Sequence, residues 1–538
     1  MKRTTLWFVA IALVLILAPV AYASHAVGGP DVKVTNDNNN VDGGIPNPGF
    51  DAQNRQSNET SVAISPAAAN IVAAGGNDYR MVTVFGDTWL GFYVSDDGGA
   101  TWFNTMVPGF PTDTSPQGSA SPLLGLDASG DPVVRFDATG NLYVAGIAFN
   151  RNFDQPDRPV DTVAYVARYD YTPGTPGGTS TPNSAADPPN FTYAGTAIVD
   201  RGAVGFAVPG GPYGFAGTLV DKDWMEVDEN APAASACAGN VYVTYAAFQG
   251  LAGSSPIKFS ASSDGAATFS SPRTISSGGR DGSPFNQGSD IGIAPDGTIY
   301  VAYRTFASAA DRTSAVSIVK SADCGKHWSQ PIRVGQIVSP QAPGVAFRTP
   351  AFAFVAVDNT DPNTVYVAYQ SFDGTDYDIY VQRSTDGGVT WGTPVTVNDD
   401  NSGRHQIFPT IEISNGALHV AWYDLRNSTT DANEALDVYY ACTGCDGNSY
   451  PAFSHNVRVT DISHNGNCLM FGGGTSAFHG DYIELDARWD GSQHVVHVAW
   501  TDNRDVSPCD LDPAPGPPTN NTGNRNQNLY ADTLFVSP

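Results

Sequence analysis

Thr298-Ile-Tyr-Val-Ala-Tyr-Arg-Thr-Phe306 decides the fold, because it recurs along the chain. Close copies stand at Asn141-Leu-Tyr-Val-Ala-Gly-Ile-Ala-Phe149, Asn240-Val-Tyr-Val-Thr-Tyr-Ala-Ala-Phe248 and Thr364-Val-Tyr-Val-Ala-Tyr-Gln-Ser-Phe372. Later copies are Ala417-Leu-His-Val-Ala-Trp-Tyr-Asp-Leu425 and Val495-Val-His-Val-Ala-Trp-Thr-Asp-Asn503, and a fainter first copy runs from Asn70 to Gly75. β-Branched and aromatic residues interleaved with small ones suit a strand buried on both faces. A shorter strand ending in a turn precedes each copy, as in Ile291-Gly-Ile-Ala-Pro-Asp-Gly297 and Ile411-Glu-Ile-Ser-Asn-Gly416, so each pair reads as a hairpin.

Downstream of the nine-residue segment a second signal appears: Ser95-Asp-Asp-Gly-Gly-Ala-Thr-Trp102, Ser384-Thr-Asp-Gly-Gly-Val-Thr-Trp391, and the variants Ser262-Ser-Asp-Gly-Ala-Ala-Thr-Phe269 and Ser321-Ala-Asp-Cys-Gly-Lys-His-Trp328. It is a turn in which Asp accepts backbone N–H bonds, Gly supplies positive φ and the aromatic packs between sheets. A third strand enters this turn and a fourth leaves it, as at Pro394-Val-Thr-Val-Asn398. Four-stranded sheets repeated radially make an all-β propeller.

Seven hairpins predict seven blades, with six as the alternative if one blade has been split in two. Asp31-Val-Lys-Val-Thr-Asn36 reads as a fourth strand with no blade before it, and Asn528 to Val536 ends a blade that lacks one, so pairing the two closes the ring. In the second unit Arg168-Tyr-Asp-Tyr171 replaces the turn signal. Residues 172–190, rich in Pro, Gly and Ser, and residues 508–527 read as insertions.

Composition agrees. The 538 residues carry 56 Gly and 38 Pro, punctuation for many turns, and a formal charge of -27, which repels phosphate backbones and anionic lipid heads and argues against a nucleic-acid partner. Lys2 and Arg3, the apolar run Leu6 to Ala18 and the small-residue site Ala21-Tyr-Ala23 read as an export signal over residues 1–23, leaving 24–538 as one propeller domain outside the cytoplasm. No run approaches the roughly 20 apolar residues that span a bilayer.

The repeated Ser-x-Asp turns resemble the Asp boxes, or bacterial neuraminidase repeats, of the sialidase-like superfamily, and the resemblance covers nearly the whole mature chain. It implies a secreted propeller that binds glycans at the face where first strands begin, with the boxes on the opposite face. Known sialidases usually have six blades, a departure here. A sialidase uses Tyr, activated by Glu, as nucleophile, an Asp as acid/base, and arginines that fork onto the substrate carboxylate. Phe347-Arg348-Thr-Pro350 resembles the family's Phe-Arg-Ile-Pro motif, although it lies in the fifth hairpin and not the first. By this resemblance Tyr482 is the nucleophile candidate, Glu412 or Glu484 its partner, and Asp376, flanked by Asp373 and Asp378, the acid/base candidate. Arg348 is the carboxylate binder. Arg426 and Arg504 leave the second strands of their hairpins at identical spacing, and either complete an arginine cluster or pair with their own Asp424 and Asp502.

The propeller places Cys237 and Cys324 on one face in adjacent blades and Cys468 and Cys509 in loops on the opposite face, so each couple is a candidate disulfide, leaving Cys442 with Cys445 as a local staple. No cofactor is expected. Asp37-Asn-Asn-Asn-Val-Asp-Gly43 offers oxygens to Ca2+ but departs from the usual loop spacing and reads as a polar connector. Two functions stand: a secreted sialidase-like exo-glycosidase acting on a glycan or glycoconjugate, or a non-catalytic propeller that binds a polysaccharide or protein partner. Oligomeric state is left open.

Overall fold

A computed structural model describes residues 26–35, 56–79, 88–150, 160–180, 184–207, 215–230, 234–276, 284–306, 313–445, 447–471, 476–507, 509, 511 and 524–538. The export-signal segment, the Asp37 to Gly43 connector and most of the 508–527 insertion lie outside these residues. Among the described residues the chain is almost wholly strand, with one short helix, Pro116–Ala120, capped by Ser115. No helix among them is long and apolar enough to cross a membrane.

The strands assemble in chain order into antiparallel groups of four. The inner strands are Ser57–Ile64, Ala128–Phe136, Phe215–Val227, Phe285–Ile293, Ala353–Val357, Gln406–Ser414 and Glu484–Trp489. Each pairs with the strand carrying a copy of the nine-residue segment, for example Ile299–Phe306 beside Phe285–Ile293. Inner strands of successive groups touch, and Glu484–Trp489 touches Ser57–Ile64. The second strands Val72–Asp78 and Ala417–Asp424 are buried end to end, and the other five at all but one or two positions, which is why their composition is so restricted.

Two arrangements differ from a row of separate four-stranded units. Strand Phe191–Ala207 pairs with Val160–Tyr171 and, further along, with Phe215–Val227, fusing the second and third groups into one eight-stranded sheet. The 172–190 segment connects Val160–Tyr171 to this long strand. In the last group the third strand is Asn528–Val536, and its free edge is covered from the N-terminal side: Ala26–Gly28 pairs with Leu534 to Val536, and Val32–Lys33 with Tyr530 and Ala531.

The four Ser-x-Asp turns share one hydrogen-bond pattern. In the first, Ser95 Oγ donates to Asp97 Oδ1 at 2.7 Å and accepts from Gly99 N at 2.8 Å, while Asp97 accepts from Thr101 N at 2.8 Å and Thr101 Oγ1 at 2.6 Å. Ser262, Ser321 and Ser384 repeat it. These bonds favour the ionised carboxylate, so Asp264, accepting from Thr268, is held down at about 2. Trp328 meets Phe259 of the preceding group edge to face at 4.8 Å, filling the seam between sheets. Disulfides join Cys237–Cys324, Cys442–Cys445 and Cys468–Cys509, with Cα separations of 5.6, 6.1 and 4.9 Å.

Candidate functional site

Five inner strands carry a bulge at the same height. Register shifts place two residues against one at Glu59-Thr60, Asp131-Pro132, Lys222-Asp223, Gly288-Ser289 and Phe408-Pro409. The first residue of each pair is left-handed, with φ of 56°, 56°, 56°, 58° and 53°. This is the bulge geometry that ordinarily selects Gly at its first position, yet only Gly288 obeys. The kink begins at the third or fourth residue of the strand, except in Phe215–Val227, where it begins at the eighth.

The charged residues at these kinks meet, joined by the entry to the fifth and seventh inner strands. Lys222 Nζ lies 2.7 Å from Asp481 Oδ2 and 3.7 Å from Asp131 Oδ2, and its backbone N–H donates to the same Asp131 oxygen at 3.1 Å. Arg348 grips Asp481 with two bonds, Nε to Oδ1 at 2.5 Å and Nη2 to Oδ2 at 2.7 Å. Its Nη2 also stands 3.6 Å from Glu59 Oε1, and Phe478 covers one face of the guanidinium at 4.7 Å. The Arg348 side chain remains 53% exposed, whereas Asp481 and Glu59 are buried. Asn77 donates to Glu59 Oε2 at 2.8 Å and accepts from Asp131 N at 3.0 Å, fixing the two acids relative to each other.

Burial dominates the proton affinities here. It pushes the Glu59 carboxyl up to about 8 despite Lys222 and Arg348, because Asp131 and Asp481 lie close by. Asp221 rises to about 7 by burial and the neighbouring Asp131. Asp223, with neither oxygen hydrogen-bonded, is driven upward by burial as well. Burial opposes the charge on Lys222, but Asp131 and Asp481 outweigh it and hold the ammonium protonated.

The sequence-derived candidates fall in separate surroundings. Tyr482 is at this cluster but 5% exposed, its phenol oxygen buried and without a hydrogen-bond partner, its ring against Trp224 at 5.8 Å; burial raises its pKa well above the usual value. The cavity beside it, shared with Trp224 and Phe354, measures only about 20 Å3. Glu412 faces a different set of charges, Asp486, Glu226 and Arg135, in a larger cavity. Asp376 sits among Asp373, Asp378 and Asp400 and is pushed up to about 6 by burial and by Asp378. The carboxylates of Asp373, Asp376 and Asp378 bring oxygens within 4.8 Å of one another, the one such grouping among the described residues able to face a cation.

Arg348 pairs with Asp481 and Glu59, as above. Arg426 is held by Asp424 Oδ2 at 2.8 Å and Asp399 Oδ1 at 2.9 Å, lying 4.1 Å over Tyr439. Arg504 repeats this in the next group, with Asp502 and Asp31 each at 2.7 Å and Tyr530 beneath it at 4.2 Å. Among the described residues neither forms an ion pair with the Arg348 cluster. Sequence reading gave none of Glu59, Asp131, Lys222 and Asp481 a chemical role. Gly130-Asp-Pro132 stands just before the apolar pair Val133-Val134 as Asp221-Lys-Asp223 stands just before Trp224-Met225, and that parallel was the available signal.

No family model matches the chain and no curated protein matches it. Among solved structures it is similar to an α-L-arabinofuranosidase of Fusarium graminearum in complex with an iminosugar inhibitor, at 12% identity and TM-score 0.42 over 94% of this chain and 98% of that one. It is also similar to a Penicillium chrysogenum α-L-arabinanase complexed with arabinobiose, at 11% identity and TM-score 0.43 over 77% and 98%. The third is Trypanosoma rangeli sialidase, at 10% identity and TM-score 0.37 over 76% and 58%. Likeness of this order carries no argument about what this chain does.

Proposed function

We propose that the protein is an exported seven-bladed β-propeller, its ring closed by the N-terminal strand, that binds an acidic glycan at the bulged end of its inner strands and cleaves it with Glu59 as proton donor. The Arg348–Glu59 juxtaposition carries this reading: a half-exposed guanidinium 3.6 Å from a buried carboxyl that stays protonated to about pH 8. Asp481 occupies Nε and Nη2 of Arg348, which leaves Nη1 as the donor for a ligand carboxylate. A carboxyl still protonated at neutral pH is what a general acid needs to protonate a departing glycosidic oxygen. The Ser-x-Asp turns, read as Asp boxes, and the segment 1–23 with three disulfides support the superfamily and the export.

The test is release of fluorophore from aryl sialosides and aryl glucuronides. Glu59→Gln should lower kcat by roughly 100-fold or more, while Arg348→Lys should chiefly raise KM, because an ammonium cannot reproduce the guanidinium edge. Wild-type inactivity on both substrate classes overturns the catalytic part. A second reading is favoured by the 20 Å3 cavity and the buried Tyr482 oxygen: a non-catalytic propeller that holds a polysaccharide or protein on this face. In that case a glycan array would show retention that Arg348→Ala abolishes and Glu59→Gln leaves intact.

A further inference from the structure

At the other end of the inner strands lies a cavity of about 430 Å3, lined by the last residues of six of them: Phe136, Val227, Ile293, Val357, Ser414 and Trp489. Its charges do not balance. Arg135 is engaged by Glu226 at 2.7 Å and Glu484 at 2.6 Å, and Arg488 by both oxygens of Glu229 at 2.6 and 2.8 Å. Two further carboxylates on the wall have no cation that close among the described residues. Among the described residues Glu412 accepts only the backbone N–H of Ile413, at 2.7 Å. Asp486 accepts from the backbone of Ile64 and Ala487, each at 2.7 Å, with Arg488 Nε no closer than 3.9 Å. Ser414, two residues beyond Glu412 and therefore on the same side of its strand, is 2% exposed, and its hydroxyl has no hydrogen-bond partner.

We infer that this cavity binds a primary ammonium group, with Glu412, Asp486 and Ser414 as acceptors for its three N–H bonds. Three donors on one cation match two carboxylates that lack a close cation and one hydroxyl without a hydrogen-bond partner among the described residues. A bare divalent metal fits less well, because the one group of three metal-ligating side chains within 4.8 Å among the described residues is Asp373, Asp376 and Asp378, not this wall. The cavity without a cation carries its own correction: burial and Asp486 raise the Glu412 carboxyl well above its usual range, with Glu226 adding and Arg135 subtracting. Entry of the ammonium therefore displaces a proton: the neutral Glu412 carboxylic acid and the incoming alkylammonium become a carboxylate–ammonium ion pair, and one proton passes to the solvent.

Titration calorimetry of the intact protein with n-butylamine, in two buffers of different ionisation heat, tests this. Saturable one-to-one binding is expected, with proton release and an affinity that rises from pH 6 to pH 8. Tetramethylammonium, which has charge but no N–H, should bind at least about tenfold more weakly. Glu412→Gln should weaken butylammonium by about tenfold or more and Ser414→Ala by a few fold, both with unchanged melting temperature or better. Arg348→Lys, at the other end, should leave it unchanged, which separates this site from the glycan reading. Absence of saturable heat in the wild type, equal binding by Glu412→Gln, or displacement of butylammonium by equimolar Ca2+ would overturn the assignment.

Discussion

Arg504 and Asp31 meet at 2.7 Å, Nη2 to Oδ2, joining the loop after a second strand to the residue just before the N-terminal strand Val32–Lys33. The Asp31 side chain is 1% exposed, so the contact is a desolvated, charge-assisted bond, reinforced by the Asp461 N–H at 2.8 Å. Asp31→Ala should cost about 1.5–3 kcal/mol, read as a lower denaturant midpoint at unchanged slope. Removing residues 26–33 altogether should do more, baring the edge of Asn528–Val536 and promoting self-association visible by light scattering.

Glu59 makes stability depend on pH in a defined direction. Its folded carboxyl titrates at about 8, against about 4.3 in an unfolded chain. The folded state therefore binds the extra proton between these values. The associated stability is fully present below the unfolded value and is lost as pH rises towards 8. Asp221, raised to about 7, acts in the same direction. Melting temperature should fall between pH 5 and pH 8.5 in the wild type, and Glu59→Gln should flatten part of that slope. A wild-type curve that rises across this interval would contradict the burial argument.

The four Ser-x-Asp turns should behave as near-equal modules. Ser262, buried, accepts from Ala266 N at 2.9 Å and donates to Asp264 at 2.7 Å. Ser262→Ala leaves that N–H unsatisfied in a buried place and should cost about 1–3 kcal/mol. Ser95→Ala, Ser321→Ala and Ser384→Ala should match it in urea melts. A spread much wider than this would mean that seam packing, not the turn, sets the energy.

The disulfides should differ by the chain they enclose. Cys237–Cys324 spans 87 residues and Cys442–Cys445 only 3. Loop-closure entropy gives about 4–5 kcal/mol for the long loop and about 2 kcal/mol for the short one. Cys237→Ser with Cys324→Ser should therefore lower the melting temperature well beyond Cys442→Ser with Cys445→Ser.

What was legible in the sequence follows from burial. The second strands are enclosed on both faces, so Val, Ala, Tyr and Trp recur there and betray the repeat, while the turns that join them fix where each cysteine sits. The grouping of Glu484, Arg135 and Glu226 was not legible. Its members sit on three inner strands of two sheets, Glu484 349 and Glu226 91 positions from Arg135, and meet only in the folded chain. Nor were the kinks, since a left-handed residue is ordinarily announced by Gly, and Glu59, Asp131, Lys222 and Phe408 are not Gly. Arg426 and Arg504 were placed correctly by spacing at equivalent positions, but spacing alone left open whether each would turn to a ligand or to its own Asp, and the aspartates won.

A left-handed backbone costs a non-glycine side chain roughly 1–2 kcal/mol, and the chain accepts that cost at four of its five bulges. Backbone shape is thereby decoupled from side-chain chemistry: an acid, a second acid, a base, a hydrogen and an aromatic ring all hang from one geometry, φ 53° to 58°, at one height. At the proposed site such a scaffold can change its chemistry by single replacements at 59, 131 or 222, with no loop rebuilt and no strand moved, whereas a Cβ at Gly288 would run into the Phe352 ring at 2.2 Å. Selectivity at the proposed site is in that sense a short word spelled around the bulges: three of its letters can be exchanged, while its spacing cannot.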